Sequence, residues 1–536
     1  MSRDGAIESD DESELVNGFG SSPFNPQKRT TKRWSFHSTK PIIEPPYDIQ
    51  TGTRRLSDFT GIDGVHNKVD NINIHGGAQL YSTESGSLFH AGKICIVLAG
   101  LPGRGKTHLS VSLTRYLRWL GVTTHSFHLG NYRRAALKTL DDNDIFLPNP
   151  FSKEANEFRS KIVDECLNDI LNFFKNENGQ IAIYDSVNAL SEDRISLNER
   201  LTKLNIQVLF IESLVTDDSL VMKNIEKAAK SSPDYANWDY DKAFKDYFDR
   251  VKFLTPYYQE MNEKSLSYIK FYNFGERIEL YNSNYGYLIN KVVFFIMNTR
   301  IKSGSLFFAR CYKNSLDISE DPPLDENGLK YAENVTKTLI EHLQATGREY
   351  ALRLDDTSKT STPKIPSVKE RQPAAGVDGT HDDSMVVWTS VKKRTMETTQ
   401  FFAKKDIKIR HRIQLSQRNP GVVGGLTDEE IQKNYPEEFQ QYLLDPYHYR
   451  FPRAESYHDL AIKIEPLILE MERMSGDILI IADETIIQVF LGYLLLCSCY
   501  DIPTLNIPQD EIIEVKFNAY SNTVDKIKIK DFFNED

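Results

Sequence analysis

The sequence predicts an α/β protein: a parallel sheet covered by helices on both faces, followed by a second α/β unit. Three observations carry this. At 536 residues the chain exceeds what one core accommodates, so two folded domains plus irregular segments are expected. From about residue 89 onward, short apolar β-branched runs alternate with helix-length periodic segments, as in strands joined by crossover helices. The first of those strands leads straight into Gly100-Leu-Pro-Gly-Arg-Gly-Lys-Thr107, a phosphate-binding loop pattern.

Residues 1–88 come first, rich in Ser, Asp, Asn, Pro and Gly and without sustained periodicity. They are expected to form a disordered or loosely held arm. Within it, Lys32-Arg33-Trp34-Ser35 and Arg54-Arg55-Leu56-Ser57 are basic-basic-x-Ser patterns. They offer Ser57 to a basophilic protein kinase, whose phosphate would add about two negative charges to the arm.

The first folded unit is expected over 89–302, with strands at Lys93–Ala99, Thr124–His128, Gln180–Tyr184 and Gln207–Ile211. Helices are expected at Thr107–Leu120, Glu154–Asn176 and Ser219–Lys230. Gly100, Gly103 and Gly105 let the loop backbone curl so that successive N–H groups face an anion, with the positive end of the next helix behind them. Lys106 would reach the β/γ-phosphates and the Thr107 hydroxyl would sit on Mg²⁺. Leu109, Val111, Leu113, Leu117 and Leu120 make the following helix amphipathic, and Gly121 ends it. Asp185, at the carboxyl end of a neighbouring apolar strand, stands where a second Mg²⁺ ligand or an acceptor for a hydroxyl proton is needed.

The second unit, 303–536, is expected to carry strands at Leu306–Ala309, Met385–Thr389 and Asp477–Ile481. A Ser/Thr/Pro/Gly/Asp-rich insertion is expected at about 349–383. The apolar stretch around Ile486 to Leu496 contains Gln488 and is too short to span a bilayer, so it reads as a core helix.

Composition excludes several classes. Lys and Arg number 65 against 76 Asp and Glu, a net charge of −11 without a basic stripe, which disfavours nucleic-acid binding. There is no N-terminal apolar signal segment. Five cysteines, an odd number without metal-ligand spacing, suit a reducing, cytoplasmic compartment. Cys497-Ser-Cys499 reads as two small buried side chains.

Several segments together resemble the 6-phosphofructo-2-kinase/fructose-2,6-bisphosphatase family. They are the Gly100–Thr107 loop, Thr114-Arg-Tyr-Leu117, Leu129-Gly-Asn-Tyr-Arg-Arg134, Gly179-Gln-Ile-Ala182 and Ser231-Ser-Pro-Asp-Tyr235. The resemblance continues to about residue 520, leaving out the arm and the insertion. It implies a P-loop kinase domain followed by a phosphoglycerate-mutase-like α/β domain, with ATP and Mg²⁺ as cofactors and fructose 6-phosphate as the sugar substrate. It places Gly105, Lys106, Thr107, Asp185 and Asn224 at the nucleotide, Lys106 and Asp185 in catalytic roles, and Thr107 and Asp185 on the metal. It places Arg133, Arg134, Arg159 and Arg250 at the sugar phosphate, where a multi-arginine clamp is needed.

Four positions depart from the family's sugar site. Ala229 stands for a lysine, Val187 for a threonine, Asp193 for an arginine and Leu254 for a tyrosine. Losing one charged hydrogen bond to a phosphate costs on the order of 1.5–3 kcal/mol.

In the second domain the losses are larger. The family's phosphatase needs an Arg-His-Gly motif, an arginine pair, a second histidine and an acid. Here Arg310 and Arg394 persist. Cys311 replaces the nucleophilic histidine, Tyr312 the glycine, Gln417 the acid and Asp483 the second histidine, while Glu484 and Gln488 occupy product-binding positions. Phosphatase activity is therefore expected to be absent. An ATP-dependent 6-phosphofructo-2-kinase, a nucleotide-binding pseudoenzyme and a kinase for another small acceptor all stay open. The implied partners are ATP and fructose 6-phosphate, with a homo-oligomer and a protein kinase acting on Ser57 as further partners, and neither nucleic acid nor membrane.

Overall fold

The computed structural model describes residues 76–79, 92–137, 153–235, 238–282, 286–300, 304–312, 321–348, 384–517 and 522–530, all within one compact unit, Ile49–Asp536. Ser35, Ser57 and the expected insertion lie outside the described residues.

Two six-stranded sheets organise the chain. The first has the order β2-β3-β1-β4-β5-β6, from β1 (Lys93–Ala99), β2 (Thr124–His128), β3 (Ile181–Asp185), β4 (Ile206–Leu214), β5 (Tyr268–Tyr272) and β6 (Arg277–Tyr281). Its first five strands run parallel, and β6 closes the edge antiparallel to β5, so the sheet is not wholly parallel as expected. A short turn joins β5 to β6, and so short a link permits only an antiparallel neighbour. Helices α1 (Lys106–Trp119), α2 (Leu129–Leu137), α3 (Lys153–Asn176), α4 (Ser191–Thr202), α5 (Asp218–Ser231), α6 (Tyr240–Leu254) and α7 (Tyr287–Met297) complete this half.

The second sheet has the order β12-β11-β7-β10-β8-β9. Its strands are β7 (Leu306–Arg310), β8 (Val386–Thr389), β9 (Lys408–His411), β10 (Ile478–Ala482), β11 (Glu511–Phe517) and β12 (Asn522–Lys528). Strands β7 to β10 are parallel, while β11 and β12 form an antiparallel hairpin at one edge. Helices α8 (Glu326–Ala345), α9 (Lys393–Ala403), α10 (Asp428–Asn434), α11 (Pro436–Leu444), α12 (Tyr457–Arg473) and α13 (Glu484–Leu494) accompany it. The apolar run that reads as a core helix is α13, with nine of its residues buried. All five cysteines are buried, and none of them forms a disulfide. Among the described residues, no helix is long and apolar enough to cross a membrane.

Helix α1 departs from the amphipathic expectation, because it is buried almost all round, including Ser110, Thr114, Arg115 and Arg118. The cause is the second half. A single hydrophobic cluster runs from β1 and α1 through α7 into β7, β10, α12 and α13. Within it the buried Arg115 guanidinium donates to Glu472 Oε1 of α12 at 2.8 Å, and Tyr493 OH of α13 donates to the same oxygen at 2.7 Å. Tyr116 OH donates to Glu465 at 3.1 Å. A buried pair of this kind needs its remaining hydrogen bonds satisfied, and the tyrosine supplies one.

Residues 76–79, inside the stretch expected to be a loose arm, are buried at the same seam. The N–H of Ala78 donates to Trp119 O at 3.0 Å, Tyr447 OH donates to Gly77 O at 2.7 Å, and His458 Nε2 donates to Ala78 O at 2.9 Å. A Cβ on Gly77 would fall 2.2 Å from the Trp119 ring, so only glycine fits.

Candidate active site

The carboxyl ends of β1 and β3 build the first part of the site. The pairing of these strands sets Leu98 beside Asp185, so Asp185 stands next to the loop that leaves β1. Gly100 has φ +135°, and a Cβ there would lie 2.6 Å from Ser213 O; Gly105 has φ +76° and caps α1. No side chain caps that helix, which leaves its first-turn N–H groups facing the loop. Lys106 is buried, and its Nζ donates to Leu101 O at 2.8 Å, folding the ammonium across the loop mouth. Burial pushes it down to about 8, opposed by Asp185 and reinforced by Arg104.

Asp185 is buried and collects the cationic and donor groups of the loop. Burial alone would raise its carboxyl, but His128, Lys106 and the Thr107 hydroxyl together hold it below the usual carboxylate range. His128 Nδ1 lies 2.9 Å from Asp185 Oδ2. Thr107 and Asp185 are thus in mutual contact, an oxygen pair suited to Mg²⁺, a hard cation that takes few protein ligands. Asn224 of α5 meets the phosphate loop as well, its Nδ2 donating to Gly103 O at 3.0 Å.

The second part is a cluster of arginines. Arg133 and Arg134 of α2 and Arg250 of α6 all meet Asp234, which follows Pro233 in a 3₁₀ turn. Arg134 lies 3.0 Å and Arg250 3.5 Å from its carboxylate, and Arg133 donates to it as well. Burial would raise Asp234, yet Arg133 and Arg134 outweigh it and hold the carboxyl down at about 2. Arg250 Nε also pairs with Asp246 at 2.9 Å. Arg159, expected with them, sits half-buried on α3 and is not one of the three partners of Asp234.

The departures have visible consequences. Ala229 is buried in a cluster with Tyr235 and Ala243, against which Phe244 and Tyr247 pack. Lys230 instead lies over the Tyr240 ring at 5.1 Å. Asp193 is exposed on the first turn of α4, while the adjacent Arg194 is fully buried against Glu263 and the carbonyls of Asn188 and Ala189. Val187 accepts from the Gly100 N–H through its carbonyl, a contact indifferent to its side chain.

A third group lies in the second half, at the carboxyl ends of β7 and β10. Arg310, Cys311, Arg394, Gln417 and Asp483 do come together, joined by Glu484. Arg310 pairs with Glu484 at 2.9 Å and donates to Ile507 O at 2.7 Å. Arg394 donates to Gln417 Oε1 and lies 3.4 Å from Asp483. Burial, joined by Asp483, pushes the Cys311 thiol up to about 11 against the pull of Arg394 and Arg310. At neutral pH this thiol is protonated, which is the wrong state for a nucleophile. Tyr312 packs on Tyr331 with ring centres 5.8 Å apart. Gln488 is sunk in the core, accepting from Tyr457 OH at 2.8 Å and donating to Leu505 O at 2.7 Å.

Sequence reasoning missed His128, Tyr247 and the role of Asp234. The signal for His128 was its place at a strand end, but strand order decides which strand end it faces. The β2–β3 register sets it opposite Asp185.

Comparison with known proteins agrees with this division. Residues 81–303 match the 6-phosphofructo-2-kinase family, and residues 374–530 match the histidine phosphatase superfamily, branch 1. A 6-phosphofructo-2-kinase/fructose-2,6-bisphosphatase-like protein of Saccharomyces cerevisiae, YLR345W, is 41% identical over 97% of this chain and 98% of its own length. The fructose-2,6-bisphosphatase of the same yeast is 30% identical over 81% of this chain and 88% of its own. Human 6-phosphofructo-2-kinase/fructose-2,6-bisphosphatase 1 is 30% identical over 81% of this chain and 83% of its own.

Proposed function

Because the chain belongs to the 6-phosphofructo-2-kinase/fructose-2,6-bisphosphatase family, we propose that it transfers the γ-phosphoryl of ATP to fructose 6-phosphate, giving fructose 2,6-bisphosphate, while its phosphatase half is silent. The observation that carries this reading is the single assembly of Lys106, Thr107 and Asp185 at an uncapped helix N-terminus. Phosphoryl transfer needs positioning and positive charge more than covalent chemistry, and these residues supply both. Lys106 exchanges its bond to the Leu101 carbonyl for the β/γ-phosphate oxygens. Thr107 and Asp185 would hold Mg²⁺, and the ion would supply charge neutralisation for the transferring group. Asp185, oriented by His128, accepts the hydrogen bond of the attacking sugar hydroxyl. Arg133, Arg134 and Arg250 take the 6-phosphate, exchanging one carboxylate partner for a more highly charged anion.

In the second half, Arg310 and Arg394 are each already paired with a carboxylate, and burial keeps the Cys311 thiol protonated at neutral pH. Three roles lost together act as a unit, so no residual rate is expected from that half.

A second reading, a nucleotide-binding pseudoenzyme with a regulatory or scaffolding role, draws on Ala229, which puts aromatic packing where the resemblance implies a lysine. Purified protein given ATP, Mg²⁺ and fructose 6-phosphate distinguishes the two. The kinase forms fructose 2,6-bisphosphate above a Lys106→Ala control, and no excess over that control removes the first reading. The pseudoenzyme gains thermal stability from nucleotide and none from fructose 6-phosphate.

A further inference from the structure

Helix α6 reaches both parts of the candidate active site. At Arg250 it joins the arginine cluster, through Asp234 at 3.5 Å and through Asp246, which also accepts from Tyr235 OH at 2.6 Å. Three residues earlier, Tyr247 OH accepts the backbone N–H of Gly103 at 3.0 Å, inside the phosphate loop. The other side of the same loop residue is held too, since Gly103 O accepts from Asn224 of α5. Gly103 has φ +74°, a conformation that glycine adopts without strain.

Tyr247 packs against the cluster of Ala229, Ala243 and Tyr235, two of whose three members are small, and its Cε1 lies 3.7 Å from where a Gly103 Cβ would stand. A long side chain at 229 would compete for that space. The alanine that stands where the resemblance implies a lysine thus leaves room for a link between loop and helix.

We propose that Tyr247 is a positioning residue that couples the phosphate loop to the arginine cluster, so that nucleotide at Gly100–Thr107 is registered at Arg250 through the Gly103 N–H, the Tyr247 hydroxyl and helix α6. The inference rests on the nucleotide site proposed above. In a loop of this kind the backbone N–H groups are themselves the anion ligands, so phosphate entry acts on the very group that Tyr247 holds. Arg250 lies within one helical turn of Tyr247, so the two side chains leave neighbouring positions on one face of α6.

Tyr247→Phe keeps the ring and its packing and removes only the hydroxyl. The test compares this variant with the wild-type full chain, using the non-hydrolysable analogue AMP-PNP with Mg²⁺ as probe. Calorimetry gives the dissociation constant and amide hydrogen exchange reports 100–107 and 240–254 separately. In the wild type the analogue slows exchange in both segments. In Tyr247→Phe the loop stays protected, protection of 240–254 is lost, and the dissociation constant changes by about 2- to 10-fold, the worth of one neutral hydrogen bond. Equal protection of 240–254 in both proteins, or none there in the wild type despite binding, overturns the inference and leaves the proposed function standing. No binding by the wild type removes the nucleotide site, and with it both.

Discussion

The arginine cluster of the first half and the pocket of the second both set guanidinium groups against carboxylates, but the balance differs. Around Asp234 three arginines face two carboxylates, Asp234 and Asp246, and positive charge is left over. In the pocket Arg310 and Arg394 face Glu484 and Asp483, and Gln417 takes a further donor, so the two positive charges are matched by two negative ones. The nucleophile position differs in the same sense, with a thiol held neutral by burial. Both halves keep their fold. On the proposed reading, the second scaffold survives the loss of its chemistry because its charged groups have internal partners, where the alternative is a buried charge without one.

The comparison can be broken most forcefully at the loop. Lys106→Ala removes the buried cation proposed to face the transferring phosphoryl group, and turnover should fall by at least about 100-fold in a coupled product assay, as for other electrostatic stabilisers. Next in size is the seam between the halves. Arg115→Ala leaves the buried Glu472 carboxylate without its cation and should cost about 3–5 kcal/mol of stability, read from the denaturant midpoint. An unchanged midpoint would mean that the two halves do not depend on each other.

The arginine cluster gives a smaller, pH-dependent effect. The Asp234 carboxyl is held at about 2 in the folded chain, below its ordinary 3.8. Its pairing therefore stabilises above about pH 4, and that contribution is lost as pH falls toward 2. Asp234→Asn should remove about 2 kcal/mol of that acid limb, measured as stability against pH. At the small end, Cys311→His should restore no fructose-2,6-bisphosphatase activity. Tyr312, Gln417 and Asp483 still deny the phosphate its cradle, proton and second histidine. Phosphate release from this single variant would show the pocket to be closer to function than its ion pairs imply.

Much of this was legible in the sequence. Strands β1 and β2 fall on their expected residues, since both are uninterrupted between clear breakers. Lys106, Thr107 and Asp185 assemble because the motif fixes the loop and a parallel neighbour fixes the strand end. Strands β5 and β6 and helices α4 and α6 were not anticipated. Tyr268–Tyr272 is largely buried but breaks its apolar run with Lys270, Arg277–Tyr281 is a half-exposed edge strand mixing aromatic and charged residues, and α4 has only three buried residues to mark a stripe. Helix α1 looked amphipathic because its outer face is covered by residues hundreds of positions away, such as Glu472. The role of Asp234 was hidden for a similar reason. Its partners lie about 100 residues upstream and 16 downstream, and a carboxylate in a turn reads as solvated until those distances are closed.

One measurement tests the contrast between the halves directly. The protein is incubated with γ-labelled ATP, Mg²⁺ and fructose 6-phosphate, and the ATP is then exhausted with excess unlabelled acceptor and hexokinase. Labelled fructose 2,6-bisphosphate should accumulate and then hold constant, with no release of labelled phosphate from the sugar. Decay of that product, or its failure to form above the Lys106→Ala control, would contradict the account.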